Sequence, residues 1–92
     1  MKAEIWTKDM CPYCVKAKKI LTDLGIPYDE YKITLGMQDE KPAANQYFVT
    51  RAQLLEKLPT AKTVPQIWID GRHVGGCDSL EAEVHQGKLT AI

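Results

Sequence analysis

The sequence predicts an α/β fold with a four-stranded mixed sheet and about three helices, in the order β-α-β-α-β-β-α. A strand, an amphipathic helix and a second strand follow one another within the first 33 residues, which is the pattern of a parallel, right-handed βαβ unit. A capped helix from residue 50 and an Asp-Gly hairpin turn at 70–71 then predict an antiparallel ββα half. The chain of 92 residues has the length of one small domain, residues 1–92.

The first βα junction is the most informative part of the chain. Residues 3–7 read as a short, partly alternating strand, and a three-residue loop leads from it to Cys11. Pro12 suits the first position of a helix, because its φ is compatible and its missing N–H would have no helical partner. Gly25 predicts the end of this helix. The helix carries one apolar stripe: Cys14, Ala17, Leu21 and Leu24.

The next segment contains a strand candidate at 27–33 and a polar stretch at 34–45, which has no clear period and is predicted to be a loop. A helix is predicted from Thr50 to Leu58, since Thr50 and Gln53 match a capping box.

Beyond this helix, residues 66–69 predict a third strand. The turn at 70–71 then returns residues 73–74 antiparallel to it. Asp78 and Glu81 form a second capping-box pattern before the last predicted helix.

Composition narrows the function classes. Twelve basic residues balance twelve acidic ones, which argues against a nucleic-acid or anionic-membrane partner. No apolar run approaches the length of a membrane-spanning helix, and no signal-peptide pattern follows Met1, so we expect a cytoplasmic protein. Three cysteines, two of them only three positions apart, do not suit a framework of structural disulfides.

Cys11 and Cys14 have the spacing and position of a redox pair. The nucleophile in disulfide exchange is the thiolate, and the N–H groups and dipole of a helix N-terminus stabilise it. Thiols of Cys-X-X-Cys motifs at such positions have pKa values of roughly 3.5–7.5. We therefore expect an exposed, anionic Cys11 that attacks and a buried, protonated Cys14 that resolves, with Lys8 adding a positive charge nearby.

Zinc is the main alternative, because Cys11, Cys14, His73 and Cys77 could supply a Cys₃His set. The two glycines between His73 and Cys77 and the helix-opening proline argue against it, so we expect no metal.

Three blocks in this sequence together resemble a dithiol glutaredoxin of the thioredoxin superfamily: residues 8–14 (Lys-Asp-Met-Cys-Pro-Tyr-Cys), 63–65 (Thr-Val-Pro) and 75–78 (Gly-Gly-Cys-Asp). The resemblance covers almost the whole chain apart from residues 34–45 and implies a thioredoxin-like fold. It implies that Cys11 forms a mixed disulfide with glutathione, that Cys14 resolves it, and that the peptide bond before Pro65 is cis. It also implies that Gly76, Cys77 and Asp78 open the last helix and offer their N–H groups to the γ-glutamyl carboxylate of glutathione. We expect the Cys77 side chain to pack as a small apolar residue. The residues implied to bind glutathione are Lys8, Tyr13, Thr63, Val64, Pro65, Gly76, Cys77 and Asp78.

The resemblance further implies a glutathione-dependent thiol–disulfide oxidoreductase that reduces protein disulfides or glutathione mixed disulfides. Glutathione would be a co-substrate, with no tightly bound cofactor. The partners would be disulfide-containing proteins, with ribonucleotide reductase as one candidate. The protein would be a monomer. Two alternatives stay open: a thioredoxin-like electron donor reduced by a flavoprotein, and an iron–sulfur carrier that uses two Cys11 thiolates. A polar contact from the second helix to the glycyl carboxylate of glutathione also stays open, because Ala52 occupies the matching place between Arg51 and Gln53.

Overall fold

The computed structural model describes residues 2–34 and 44–87, whose elements form a mixed sheet with helices against it. No helix in these two ranges is long and apolar enough to cross a membrane. The elements are β1 (Ala3–Lys8), α1 (Pro12–Asp23), β2 (Tyr28–Ile33), β3 (Gln46–Val49), α2 (Arg51–Lys57), β4 (Gln66–Ile69), β5 (Arg72–Gly75) and α3 (Cys77–His85).

The sheet has the strand order β3-β2-β1-β4-β5. β1 pairs with β2 in parallel and with β4 antiparallel, and β4 pairs antiparallel with β5, so the predicted mixed sheet is confirmed. The hairpin turn is confirmed as well, because Asp70 and Gly71 have φ values of 52° and 83°, the left-handed conformations that a type I′ turn requires.

The number of strands differs from the prediction, because β3 adds a fifth strand, parallel to β2. This four-residue strand is too short to show a period in the sequence. Its register places Tyr47 beside Tyr31, and the two rings stack with centroids 5.1 Å apart. Pairing with β2 therefore stabilises β3 as a strand, although the sequence pattern of β3 does not predict one. Most of the predicted loop at 34–45 lies outside the described residues.

Helices α1 and α2 begin as predicted. α1 has Pro12 in its first turn, and the chain leaves the helix through Gly25 at a φ of 71°. At α2, the Thr50 side chain accepts from the Gln53 N–H at 3.2 Å, and the Gln53 side chain accepts from the Thr50 N–H at 2.7 Å. Both halves of the capping box are thus present.

The start of α3 agrees with the resemblance, which implied that Gly76, Cys77 and Asp78 open this helix, but it contradicts the predicted capping box. The N-cap is Gly76 rather than Asp78, and the Leu80 N–H donates to the Gly76 carbonyl at 3.0 Å. Asp78 is already the second helical residue, so the capping box predicted for Asp78 and Glu81 is wrong. Gly75 explains the earlier start, since its φ of 116° turns the chain out of β5 directly before the helix.

Apolar side chains cover both faces of the central strand β1. On one face, Ile5 packs in a core cluster with Leu21 of α1 and Leu80 of α3. On the other face, Trp6 packs in a second cluster with Leu54 of α2. β1 is therefore held from both sides, and its carboxyl end is a fixed point from which the chain enters the Cys11 loop.

We predict that Leu21→Ala destabilises the fold by about 2–5 kcal/mol, because Leu21 is 0% exposed and its loss leaves a cavity between α1 and the sheet. Val15→Ala is the matched control on the same helix: Val15 is 63% exposed, so its removal changes stability by no more than about 0.5 kcal/mol. Urea unfolding followed by circular dichroism measures both. Equal losses in the two variants would contradict the packing of α1.

Candidate active site

The loop between β1 and α1 turns sharply just before Cys11. Met10 has a φ of 54°, a left-handed conformation that is uncommon for a residue with a side chain. Cys11 itself is the N-cap of α1, in an extended conformation with φ −114° and ψ 98°. The Cys14 N–H donates to the Cys11 sulfur at 3.1 Å. The sulfur thus occupies the position of an ordinary N-cap oxygen, and it shares the Cys14 N–H with the Cys11 carbonyl oxygen, which also lies 3.1 Å away.

Cys11 and Cys14 form a disulfide, with Cα atoms 5.2 Å apart. Cys14 is 2% exposed, as the apolar stripe of α1 predicted. Cys11 is only 8% exposed, so the expectation of an exposed Cys11 is wrong for this disulfide form. The physical reason is that its sulfur is bonded to the buried sulfur of Cys14 and also lies 3.8 Å from the carbonyl oxygen of Val64.

The Thr63–Pro65 segment lies against the disulfide, because the Val64 carbonyl oxygen is 3.8 Å from the Cys11 sulfur. The Val64-Pro65 peptide bond is cis, as the resemblance implied. Gln66 supports this segment through its side-chain amide, which donates to the Thr63 carbonyl at 2.9 Å.

The N-terminus of α3 lies against the same segment. A Cβ atom added at Gly76 would be 3.4 Å from the carbonyl oxygen of Pro65. No side chain caps the first turn of α3, so the N–H groups at its start have no side-chain acceptor from Gly76. The three blocks singled out in the sequence therefore meet at one end of the sheet.

A groove of about 350 Å³ lies beside Val64. Its charged lining residues are Lys8, Asp9, Arg51 and Lys62, and its floor includes apolar side chains of β2 and α2. The Asp9 carboxylate is 2.6 Å from the Lys32 ammonium, so it is already paired. The groove therefore presents an excess of positive charge next to the disulfide.

The groove bears on the question left open for α2 and includes a cationic side chain that the sequence reasoning did not select. Arg51 lines the groove, whereas the Gln53 side chain is engaged in the capping box with Thr50. Lys62, not selected from the sequence, lines the groove as well. Its position directly before the Thr-Val-Pro block is the signal that could have identified it. Tyr13 is exposed on the first turn of α1 but is not a lining residue of this groove.

The four side chains of the zinc alternative do not form a metal-binding group in the described part of the chain. Within residues 2–34 and 44–87, no group of three or more His, Cys, Asp or Glu side chains could hold a metal ion. The His73 ring instead lies 3.0 Å from the side-chain oxygen of Gln66.

A family model described as Glutaredoxin matches residues 3–74 of the chain. The chain belongs to the glutaredoxin family. It is 42% identical over 88 residues to a glutaredoxin of Pseudomonas aeruginosa, covering 96% of this chain and 90% of that protein. It is 38% identical over 89 residues to glutaredoxin 3 of Escherichia coli, covering 97% and 93% of the two chains. Glutaredoxins are disulfide oxidoreductases, and the disulfide within the Cys-X-X-Cys motif agrees with that activity.

Solved glutaredoxin structures share the fold. Glutaredoxin 1 of Francisella tularensis, in complex with cacodylate, superposes with a TM-score of 0.68 at 30% identity, covering 95% of each chain. A buckwheat glutaredoxin–glutathione complex superposes with a TM-score of 0.64 at 27% identity, covering 95% of this chain and 71% of that one. The thioredoxin-like fold predicted from the resemblance is therefore confirmed, with five strands in place of four.

We predict that Gly75→Ala destabilises this glutaredoxin by about 2–4 kcal/mol, because alanine is strained at a φ of 116° and its Cβ would lie 2.8 Å from the Ser79 hydroxyl oxygen. Gly71→Ala is the control: its φ of 83° is also strained for alanine, but its Cβ would meet no atom within 4 Å. It should cost about 1 kcal/mol. Urea denaturation of both variants measures the difference, and a smaller loss at Gly75 than at Gly71 would contradict the close packing of Gly75 on α3.

Proposed function

We propose that this chain is a glutathione-dependent oxidoreductase in which Cys11 is the nucleophile and Cys14 the resolving thiol. Its substrates are protein disulfides and mixed disulfides between proteins and glutathione. The observation that carries the proposal is the position of the Cys11 sulfur, which lies between the α1 N-terminus, the Val64 backbone and a cationic groove. The solved complex of a related glutaredoxin with glutathione supports the choice of ligand.

The reaction begins from the reduced dithiol. The Cys11 thiolate attacks the glutathione sulfur of a mixed disulfide, so that a Cys11–glutathione bond forms and the protein thiolate leaves and takes up a proton. The Cys14 N–H, 3.1 Å from the Cys11 sulfur in the disulfide form, is placed to stabilise the attacking thiolate. A second glutathione thiolate then attacks the glutathione sulfur of this intermediate, which releases glutathione disulfide and restores Cys11. With a protein disulfide as substrate, the Cys11 thiolate attacks one of its two sulfurs, forms a mixed disulfide with the protein and releases the other sulfur as a thiolate, which takes up a proton. The Cys14 thiol then gives up its proton and attacks the Cys11 sulfur, which closes the Cys11–Cys14 disulfide and releases the second protein sulfur as a thiol. Two glutathione molecules reduce this disulfide in turn and leave as glutathione disulfide.

Glutathione is a tripeptide with a carboxylate at each end, and the site offers a matching group for each part. The glycyl carboxylate fits the cationic groove of Lys8, Arg51 and Lys62. The backbone of Val64 can pair with the cysteinyl residue, as an added strand would. The γ-glutamyl carboxylate fits the N-terminus of α3, where Gly76 provides no side chain that would compete for the N–H groups of Cys77 and Asp78. Tyr13 and Thr63 border this path in our proposal.

We predict that Cys14→Ser retains substantial activity in the reduction of a glutathione mixed disulfide by glutathione, because a second glutathione can resolve the intermediate. Cys11→Ser should lose essentially all activity, since it removes the nucleophile. A coupled assay with glutathione reductase and a glutathionylated peptide measures both rates. If Cys14→Ser were inactive while thioredoxin reductase reduced the unsubstituted protein efficiently, the chain would instead be a flavoprotein-dependent donor.

We predict that Arg51→Gln raises the KM for glutathione about three- to tenfold with little change in kcat, because it removes a carboxylate partner that binds ground and transition states alike. Arg72→Gln is the matched control: Arg72 pairs with Glu83 at 2.6 Å on the β5–α3 side and does not line the groove. Steady-state kinetics with varied glutathione measures both variants. An unchanged KM in Arg51→Gln would remove Arg51 from the proposed binding site.

A further inference from the structure

The third thiol of the chain occupies a helix N-terminus, yet its surroundings oppose ionisation. Cys77 is the first residue of α3, a position at which the helix N–H groups and dipole ordinarily lower a thiol pKa. The pKa of Cys77 is nevertheless raised, first by burial and then by the negative charge of Glu81. A buried thiol at the N-terminus of a helix is thus kept in its neutral form by specific neighbours.

One oxygen atom of Glu81 joins two helices. Glu81 lies one turn beyond Cys77 on α3, and its Oε1 accepts from the Cys77 thiol at 3.8 Å. The same oxygen lies 2.6 Å from the ammonium group of Lys16 on α1. The ion pair lowers the pKa of Glu81 and raises that of Lys16, chiefly through the hydrogen bond between them. Both groups are therefore charged at neutral pH.

We propose that Glu81 is a positioning residue whose carboxylate holds Cys77 as a hydrogen-bonded thiol and offsets the attraction of Lys16 for the thiolate. It thereby keeps Cys77 out of the disulfide exchange carried out next to it.

Each charge around Cys77 has a definite effect on the stability of its thiolate. Glu81 and Asp78 of α3 disfavour the thiolate, and Lys16 of α1 favours it. The other members of the core cluster that contains Cys77 are apolar. Removal of the Glu81 charge therefore acts twice: it takes away a repulsive carboxylate and leaves the Lys16 ammonium free to attract the thiolate.

An ionised Cys77 would interfere with the proposed glutathione site. Its thiolate would attack one sulfur of glutathione disulfide, form a Cys77–glutathione bond and release one glutathione thiolate, which takes up a proton. The attached tripeptide would then lie on the first turn of α3, where we place the γ-glutamyl carboxylate. Glu81 thus protects the proposed binding site from glutathione disulfide, which is the product of the proposed reaction.

The test measures the alkylation of Cys77 by iodoacetamide in the full chain with Cys11→Ser and Cys14→Ser, so that one thiol remains. Mass spectrometry follows the rate from pH 6 to pH 10, and the half-maximal pH reports the thiol pKa. Glu81→Gln should lower this midpoint and accelerate alkylation at pH 7 roughly three- to tenfold. Lys16→Met should raise the midpoint and slow the reaction roughly threefold, because it removes the cation that favours the thiolate.

The opposite signs separate this role from a merely structural one. If the ion pair served only to hold α1 and α3 together, both substitutions would expose Cys77 and both would accelerate its alkylation. Glu83→Gln is the matched control, since Glu83 lies on the same helix and pairs with Arg72 at 2.6 Å, and it should leave the midpoint unchanged. An unchanged or raised midpoint in Glu81→Gln, or a faster reaction in Lys16→Met, would overturn the proposal. Should Glu81→Gln fail to fold, the sign of the Lys16→Met effect decides alone.

A second measurement follows the glutathionylation of Cys77 directly. Incubated with glutathione disulfide at pH 7, the Glu81→Gln form of the same background should gain one glutathionyl mass several-fold faster than the form that keeps Glu81, and equal rates would contradict the protective role. Neither measurement needs turnover of a mixed disulfide. A chain that lacks glutathione-dependent activity would therefore refute the proposed function and leave this result intact.

Discussion

The site depends on a contact at the start of α1, where the Cys14 N–H meets the Cys11 sulfur at 3.1 Å. This contact requires Cys11 to be the N-cap, which in turn requires the sharp turn at Met10 and the fixed carboxyl end of β1. β1 can supply that fixed end because core clusters pack on both of its faces. The burial of Ile5 and Trp6 is thus a condition for placing a sulfur atom at a helix N-terminus, since a mobile strand end could not hold it there.

The fold brings two cysteines to two helix N-termini and gives them opposite surroundings. Cys11 meets the Cys14 N–H of its own helix and the backbone of Val64, with cationic side chains in the groove beyond. Cys77 meets the Glu81 carboxylate and the apolar core. A helix N-terminus by itself therefore does not decide the reactivity of a thiol. The charges and the burial within a few ångströms decide it, because they act on the thiolate over shorter distances than the helix dipole.

Much of this arrangement could be predicted from the sequence, and what could not has a common physical cause. The βαβ unit, the α2 capping box and the Asp-Gly turn are local patterns, and each is confirmed. β3 was not predicted because its four residues form a strand only through their pairing with β2. The capping pattern of α3 was misread because a glycine N-cap leaves no side-chain signal, while Asp78 and Glu81 matched a capping box that is not formed. The burial of Cys11 depends on its bond to Cys14 and its contact with a segment 53 residues away. The errors therefore fall where tertiary contacts override local preference.

The three helix N-termini show how capping and function are divided along this chain. At α2, the side chains of Thr50 and Gln53 satisfy the backbone, so Gln53 is occupied and Arg51 remains available to the groove. At α1, the capping atom is the sulfur of Cys11, so breaking the disulfide and ionising that sulfur would strengthen the same contact. At α3, glycine supplies no capping atom, which leaves the N–H groups open to an anion from outside. The helix with a complete side-chain cap thus lies on the groove side, whereas α1 carries the Cys11 sulfur at its start and α3 begins against the Pro65 carbonyl.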